Sequence, residues 1–373
     1  MRTDRQAPHP SRTPRRALVL TSLCGLVIGL VGSCSGGGSG GGSKPGPVVT
    51  VPGTATVLPG VCASGPGPLP GAACMTLTVE SLANPAVLAE VRVADPAPGI
   101  PLLGTVLLSS GGLGNEFLVE TAGGLELSNA LLAAGFRVVD RRWPTGWFAD
   151  ATGILEQSAR YAVLVDWVRT NLHTTGALCV FGNSGGSSEI AYALTSWDGD
   201  DLFEVAILAS GPPMTRLDYL CEVPASMAWT TQCAALTAGG AFTCGQPTCE
   251  PEVTNLLCPL LPPNPQPGEL LAQSILHPNA VLEFPSTEVR MLLGEEDCTS
   301  AVPLGLLFAE SLTTPIVPQL VSLTPHMMPS TREGRDAIVL ALADALGIPD
   351  SNPAPAQTHV RVHVSLIELE QPQ

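Results

Sequence analysis

Charged residues are scarce in this chain, and positively charged ones are scarcest. Lys and Arg number 17 against 33 Asp and Glu, so the formal net charge is −16 over 373 residues. An acidic surface repels phosphate backbones, which argues against nucleic-acid binding. Only 13% of the residues are charged whereas 45% are hydrophobic, so the sequence predicts a folded chain with a large core and not a disordered one.

The first 33 residues have the pattern of an export signal. A basic segment, Arg12–Arg16, precedes an apolar run, 17–32, that is slightly short for a membrane span and ends in small residues. The letters VGSC that end at Cys34 resemble a bacterial lipobox, whose cysteine is lipidated and becomes the new N-terminus. The alternative is an ordinary signal peptide with an incidental cysteine.

The Gly/Ser-rich stretch 34–47 has no apolar residues that pack, so it is expected to be a flexible tether. A lipid on Cys34 followed by such a tether would hold a folded domain away from a membrane. We therefore expect an exported protein of the bacterial cell envelope, lipid-anchored on a periplasmic or extracellular face, with the membrane as a partner.

Cysteine usage agrees with export to a compartment that permits disulfides. Cys179 lies in an apolar, strand-like run and is expected to be a buried free thiol. Eight others are expected to form four bridges: Cys62, Cys74, Cys221, Cys233, Cys244, Cys249, Cys258 and Cys298. A bridge from Cys298 to the cysteine-rich insertion described below is a further hypothesis. The spacing Cys-x4-Cys with no nearby His is a weak zinc motif, and neither a metal nor a cofactor is expected.

Strand-like and helix-like runs alternate along most of the chain, which predicts a parallel sheet covered by helices on both faces. The alternation begins at Met75, and we assign 48–213 and 281–349 to the folded core. Between them, 214–280 is rich in Pro, Gly and Cys and lacks a sustained periodicity, so we interpret it as a disulfide-linked insertion. The tail, 350–373, has no assigned role.

A serine between a strand and a helix is the candidate nucleophile. Gly182–Gly186, with Ser184 at its centre, fits the pattern Gly-x-Ser-x-Gly, but so does Gly37–Gly41 in the tether. Only Ser184 has an apolar strand before it and an amphipathic helix after it, the context that places a serine on a strained turn. Gly185 is then placed to offer its backbone N–H to an oxyanion at the start of the helix.

A serine hydroxyl needs a base to remove its proton and a third group to orient that base. His326 follows the last core strand, so we expect it at the same sheet edge as Ser184 and predict it to be the base. His173, at the end of a helix, and His277, in the insertion, are poorer candidates.

The acid is expected after the strand that precedes the histidine loop. Asp297 is the preferred residue because it lies far enough into the turn to reach an imidazole. Glu296 and Asp218 are the alternatives, and a solvated acidic loop without a catalytic role is a third interpretation.

The second oxyanion donor is expected in the glycine-rich loop 111–115, where Gly112 or Leu113 would offer a backbone N–H. Aromatic residues make up only 4% of the chain, so Trp143 and Trp147 stand out near this edge. Lining the pocket and packing in the core are both open for them.

With the serine, acid and histidine in that chain order, the sequence resembles the α/β-hydrolase superfamily. The motifs that carry the resemblance are FGNSGG at Ser184, SSGGLG at the oxyanion loop, GFRVVDRRW, LLGEED at Asp297 and TPHMMP at His326. The resemblance implies an α/β fold, a mostly parallel eight-stranded sheet flanked by helices. It also implies an optional cap at the place that 214–280 occupies.

The resemblance implies a serine hydrolase that cleaves a small or polymeric carboxylic ester through an acyl-enzyme. A serine peptidase or an acyltransferase with the same triad is an alternative, and so is a non-catalytic binding module. Two features depart from the family pattern. The loop has SSGG where many lipases and esterases have His-Gly-Gly, and the cysteine-rich insertion resembles no known lid.

Overall fold

A mixed sheet of nine strands forms the centre of the computed structural model, which describes residues 52–348 without 61, 83, 149–152, 222–257 and 259–266. The strands are β1 Gly53–Val57, β2 Ala73–Ser81, β3 Val87–Ala94, β4 Gly104–Ser109, β5 Phe136–Arg142, β6 Ala177–Asn183, β7 Val205–Ala209, β8 Glu288–Gly294 and β9 Gln319–Val321. All described residues belong to one unit, Pro47–Gln373.

The strands lie in the order β1-β2-β3-β5-β4-β6-β7-β8-β9. The pairs β1–β2, β2–β3 and β3–β5 are antiparallel, and the other five pairs are parallel. The predicted mostly parallel sheet is confirmed, but the described residues form nine strands and not eight. The additional strand, β1, has the sequence GTATV and lies at the edge with its residues largely exposed, so it lacks the hydrophobic pattern by which strands are predicted.

Helices cover both faces of the sheet. In the described residues the α-helices are α1 Ala122–Ala133, α2 Ile154–Asn171, α3 Gly185–Ser196, α4 Leu217–Cys221, α5 Pro267–Ala272, α6 Ala301–Ser311 and α7 Arg332–Ala345. Short 3-10 helices occupy Leu118–Glu120, Gly199–Asp201 and Met328–Ser330.

Alternate residues of the central strands contribute to two separate cores. In β4, Leu107 packs with the buried side chains of α2 and α3, whereas Val106 and Leu108 pack with those of α1 and α7. All six residues of β4 are buried, as expected for a parallel strand covered on both faces. Burying each such aliphatic side chain stabilises the fold by about 1.5–3 kcal/mol. The buried strands therefore hold the loops at the edge of the sheet in fixed positions.

Two of these helices begin with the same cap. The side chains of Thr121 and Thr331 accept hydrogen bonds from the backbone N–H groups of Gly124 and Gly334, at 3.0 and 3.1 Å. A threonine in this position stabilises a helix start by about 1 kcal/mol. Each cap directly follows a short 3-10 helix, Leu118–Glu120 before α1 and Met328–Ser330 before α7.

Two disulfides lie in the described part of the chain. Cys62 is bonded to Cys74, and Cys221 to Cys258, with Cα–Cα distances of 5.7 and 5.6 Å. The first joins the segment before β2 to that strand, and the second joins the end of α4 to a residue of the predicted insertion. Disulfide formation, expected from the composition, is confirmed for these four cysteines.

Two further cysteines are described. Cys179 is free and buried, as predicted, and burial together with nearby Glu204 raises the pKa of its thiol to about 12. Cys298 is disulfide-bonded. Its predicted bridge to the insertion involves Cys233, Cys244 or Cys249, which lie outside the described residues, so this pairing stays a prediction.

The predicted insertion begins after β7, and its described parts include the helices α4 and α5 near its two ends. Most of 214–280 lies outside the described residues, as do the export signal, the tether and the C-terminal tail, so these boundaries stay predictions. Within the described residues, no helix is both long and apolar enough to cross a membrane.

Candidate active site

Ser184 occupies a sharp turn between β6 and α3. Its backbone has φ 54° and ψ −115°, a conformation that is strained for a residue with a side chain. The turn is tight, because a Cβ on Gly182 would lie 2.6 Å from the Ser187 nitrogen and one on Gly186 would lie 2.5 Å from the Ser109 oxygen. Glycine is thus required on both sides of the serine, which is only 8% exposed.

His326 lies in the loop between β9 and the 3-10 helix at Met328–Ser330. Its Nδ1 is 2.9 Å from Oδ2 of Asp297. The same loop is attached to the serine turn, because the Met328 N–H donates to Oδ1 of Asn183 at 2.9 Å. Asn183 immediately precedes Ser184, so this bond links the histidine loop to the turn that carries the serine.

Asp297 follows β8 and is almost fully buried. Its Oδ1 accepts hydrogen bonds from the N–H and the hydroxyl of Thr299, at 3.0 and 2.8 Å, which leaves Oδ2 for His326. Burial by itself would raise the pKa of this carboxyl, but the neighbouring His326 and the hydrogen bonds from His326 and Thr299 outweigh it and hold the pKa below its usual value. The carboxylate is therefore charged at neutral pH.

The other candidate acids and bases lie elsewhere. His173 is 3.2 Å from the hydroxyl of Thr105, at the amino end of β4 and so at the opposite edge of the sheet. Nε2 of His277 is hydrogen-bonded to the hydroxyl of Ser196, at the end of α3. Asp218 is paired with the guanidinium of its neighbour Arg216. None of the three lines the cavity beside Ser184 in the part of the chain that is described.

The glycine-rich loop lies against the start of α3. A Cβ on Gly185 would overlap the carbonyl oxygen of Gly112 and lie 2.9 Å from the Gly112 nitrogen, so the two backbones are in direct contact. Gly112 has φ +60°, which favours glycine. The three candidate oxyanion donors, Gly112, Leu113 and Gly185, all border the same cavity as Ser184 and His326.

That cavity has a volume of about 340 Å³ and is lined mainly by apolar groups. Its lining residues are Ser110, Gly111, Gly112, Leu113, Asn115, Glu116, Phe117, Leu118, Thr121, Phe148, Asn183, Ser184, Gly185, Pro213, Met214, His326 and Met327. Glu116 is the one carboxylate among them, and it is exposed. A size and character of this kind suit an uncharged organic group.

Trp143 and Trp147 are not in the cavity wall. Both are buried in the core, with exposed fractions of 0% and 1%. Trp147 packs edge-on against Phe148, which does line the cavity, with ring centroids 4.4 Å apart. Of the two roles left open by the sequence, the structure assigns them core packing one layer behind the cavity.

One wall of the cavity is attached to a buried carboxylate. Asp140, in β5, accepts hydrogen bonds from the N–H groups of Leu118 and Val119 at 3.2 and 2.9 Å. Burial raises the pKa of Asp140 to about 7, against the lowering effect of those bonds and of nearby arginines. Sequence reasoning did not single out Asp140 or Thr299. The signal for Thr299 was its position two residues after the acid, where a backbone N–H commonly donates to an Asp side chain.

Solved structures that are similar to this chain include a hyperthermophilic esterase from the archaeon Pyrobaculum calidifontis, with a TM-score of 0.50 and 18% identity over 76% of this chain and 85% of that one. The chain has the α/β-hydrolase fold. Brefeldin A esterase, a bacterial homologue of human hormone-sensitive lipase, is similar to the same degree, with a TM-score of 0.50, 18% identity and coverage of 76% and 80%. No family model and no curated protein sequence matches the chain.

The α/β-hydrolase fold explains why residues far apart in sequence meet here. Ser184, Asp297 and His326 follow β6, β8 and β9, three strands that run parallel with one another. The carboxyl ends of parallel strands meet at one edge of the sheet, which is where ligands bind in open α/β sheets. In the structure, Ser184 and His326 line the same cavity, and the Asp297 carboxylate is within hydrogen-bonding distance of His326.

Proposed function

We propose that this protein is a serine hydrolase that cleaves carboxylic esters through an acyl-enzyme. The observation that carries the proposal is the joint position of a strained serine and a histidine on one apolar cavity, with a buried carboxylate 2.9 Å from that histidine. Holding a serine at φ 54° costs energy of about 1–3 kcal/mol, which is expected where the strain serves a function.

The proposed reaction has two halves. The hydroxyl oxygen of Ser184 attacks the ester carbonyl while His326 takes the hydroxyl proton at Nε2, the ring nitrogen that does not face Asp297. Negative charge develops on the carbonyl oxygen, where the N–H of Gly185 and that of Gly112 or Leu113 stabilise it. The C–O bond breaks, and His326 returns the proton to the departing alcohol. In the second half, His326 takes a proton from a water molecule, which attacks the acyl-enzyme carbonyl. The carboxylic acid leaves, and His326 returns the proton to Ser184.

Esters are proposed over peptides because the cavity is small, apolar and close to the serine. Its volume of about 340 Å³ suits one acyl or alkyl group. The two solved structures compared above are both named as esterases. An acyltransferase uses the same acyl-enzyme and differs only in the acceptor.

A panel of matched substrates tests the proposal. We expect p-nitrophenyl esters of short and medium acyl chains to have higher kcat/KM than the palmitate ester, because the long chain exceeds the cavity. We expect each ester to react faster than the peptide p-nitroanilide of similar size.

Faster cleavage of the anilides would replace the ester assignment with a peptidase. Preferential transfer to an added alcohol would indicate an acyltransferase. A protein that turns over no substrate and takes no fluorophosphonate label would be a binding module, and the proposed hydrolase would be wrong.

The proposal includes export and a lipid anchor at Cys34, supported by the VGSC motif and the tether that follows it. These residues lie outside the described part of the chain. Expressed with its leader in a bacterium that processes lipoproteins, the wild type is expected in the membrane fraction and Cys34→Ala in the soluble fraction. Cys24→Ala is the control, because the bulky Leu23 before it makes Cys24 a poor lipidation site. Equal partitioning of wild type and Cys34→Ala would contradict the anchor.

A further inference from the structure

A buried ion pair joins β5 to the helix that follows the candidate nucleophile. Arg141 in β5 and Glu189 in α3 are in direct contact, and the side chains of both are fully inaccessible to solvent. The two residues are 48 positions apart in the chain. Glu189 lies five residues after Ser184, so the pair is one layer behind the serine turn.

Arg141 also binds both ends of the segment Ser110–Gly114, which includes most of the glycine-rich loop. Its guanidinium donates to the carbonyl oxygen of Gly114 at 3.1 Å and to that of Ser110 at 3.4 Å. The Gly114 oxygen accepts a second bond, from the Trp143 N–H at 2.8 Å. Gly114 has φ +69°, and a Cβ there would overlap the Arg141 side chain, so the contact requires glycine. The segment that contains Gly112 and Leu113 is thus attached to Arg141 at its first and last residues.

Both carboxylate oxygens of Glu189 accept hydrogen bonds from β5 or from the residue that follows it. Oε2 accepts from Arg141, and Oε1 accepts from the indole N–H of Trp143 at 2.6 Å. Trp147 adds a further bond to the loop, from its backbone N–H to the Leu113 oxygen at 3.1 Å. The carbonyl groups of Ser110, Leu113 and Gly114 are therefore all held from the β5 side.

A contribution to fold stability does not by itself explain why the protein has this buried ion pair. Removing two charges from water costs several kcal/mol per ion, and replacing a buried ion pair by apolar residues is often neutral or stabilising. Burial lowers the pKa of Arg141 to about 10, so it is still charged at neutral pH. What an apolar pair cannot supply is a planar fork of donors that reaches two loop carbonyls and a carboxylate together.

We propose that Arg141 and Glu189 are positioning residues that clamp the loop Ser110–Gly114 to α3, holding Gly112 against Gly185 so that both oxyanion donors face one point. The inference rests on the proposed ester hydrolysis. Neither residue touches the substrate. Their effect on the reaction goes through the loop, where a displacement of about 1 Å is enough to lower the rate by about 10²-fold.

The test is a double variant, Arg141→Met with Glu189→Leu, which removes both charges and leaves no unpaired ion. We expect its kcat on the best ester to fall by about 10²-fold, with KM changed far less, because oxyanion stabilisation acts in the transition state. The affinity for a trifluoromethyl ketone, which forms a tetrahedral oxyanion adduct with the serine, should fall by the same factor as kcat.

The matched control is Arg142→Met with Glu90→Leu. Arg142 is the next residue of β5, so its side chain points to the other face of the sheet. Its Nε is 2.7 Å from Oε2 of Glu90. As far as the structure describes them, the hydrogen bonds of Arg142 and Glu90 do not involve the loop Ser110–Gly114. We expect this variant to keep the wild-type kcat and ketone affinity.

The outcomes separate the two proposals. A wild type that hydrolyses no ester and forms no ketone adduct overturns the proposed function, and the clamp with it. An active wild type with unchanged kcat and ketone affinity in the Arg141/Glu189 variant overturns the clamp alone. If that variant does not fold, Arg141→Lys decides, since it keeps the charge but loses the fork. The same fall in kcat and ketone affinity supports the clamp, and wild-type values refute it.

Discussion

Replacing Ser184 with alanine is expected to abolish ester hydrolysis, with a fall in kcat of about 10⁴-fold or more, because no acyl-enzyme forms without the hydroxyl. The variant should also lose all labelling by a fluorophosphonate probe, which reacts with activated serines. The change removes one oxygen atom at a site that is 8% exposed, so the fold and the melting temperature should be retained. Initial rates and gel fluorescence measure the two effects.

Ser39→Ala is the matched control, because Ser39 satisfies the same Gly-x-Ser-x-Gly pattern within the tether. It should keep the wild-type rate and label. If Ser184→Ala were labelled as strongly as the wild type, another residue would be the nucleophile and the proposed mechanism would be wrong.

Replacing Asp297 with asparagine is expected to lower kcat by about 10⁴-fold while leaving the shape of the site intact. The carboxylate accepts a hydrogen bond from the Nδ1–H of His326, 2.9 Å away, and so keeps Nε2 free to accept the proton of Ser184. An amide NH2 in its place would favour the opposite tautomer, in which Nε2 already carries a hydrogen. Because the pKa of Asp297 lies below its usual value, the wild-type carboxylate should remain ionised even in mildly acidic solution.

Glu296→Gln is the control for this change. Glu296 is the adjacent acid, it is exposed, and its backbone N–H is bonded to Thr324. Steady-state kinetics of the two variants at neutral pH should show full activity for Glu296→Gln and almost none for Asp297→Asn. The reverse result would transfer the role of the acid to Glu296, the alternative that the sequence left open.

Much of the fold was predictable because its signals are local. Runs such as GTVLLS and VAILA are short, mostly apolar and separated by helix-like segments, and this pattern indicates a buried parallel sheet whatever the rest of the chain does. The prediction missed β1, since an exposed edge strand is stabilised by its backbone pairing with β2 and leaves no mark in hydrophobicity.

The candidate site was partly predictable for a related reason. Once the strands were assigned, the loops at their carboxyl ends followed from topology, and these loops contain Ser184, Asp297 and His326. Their catalytic roles remain predictions to be tested by the variants above. The choice between Asp297 and Glu296 was not available from topology, because it depends on which side chain of one turn points inward.

The sequence by itself therefore determined the fold class and the loops that converge. Only the tertiary structure decided which atoms meet there: the Thr299 hydroxyl on Asp297, the Met328 N–H on Asn183, and Arg141 on Glu189. Arg141 and Glu189 belong to no sequence motif that marks them as buried. Their burial results from the packing of segments 48 residues apart, and interactions at that distance leave no pattern within either segment.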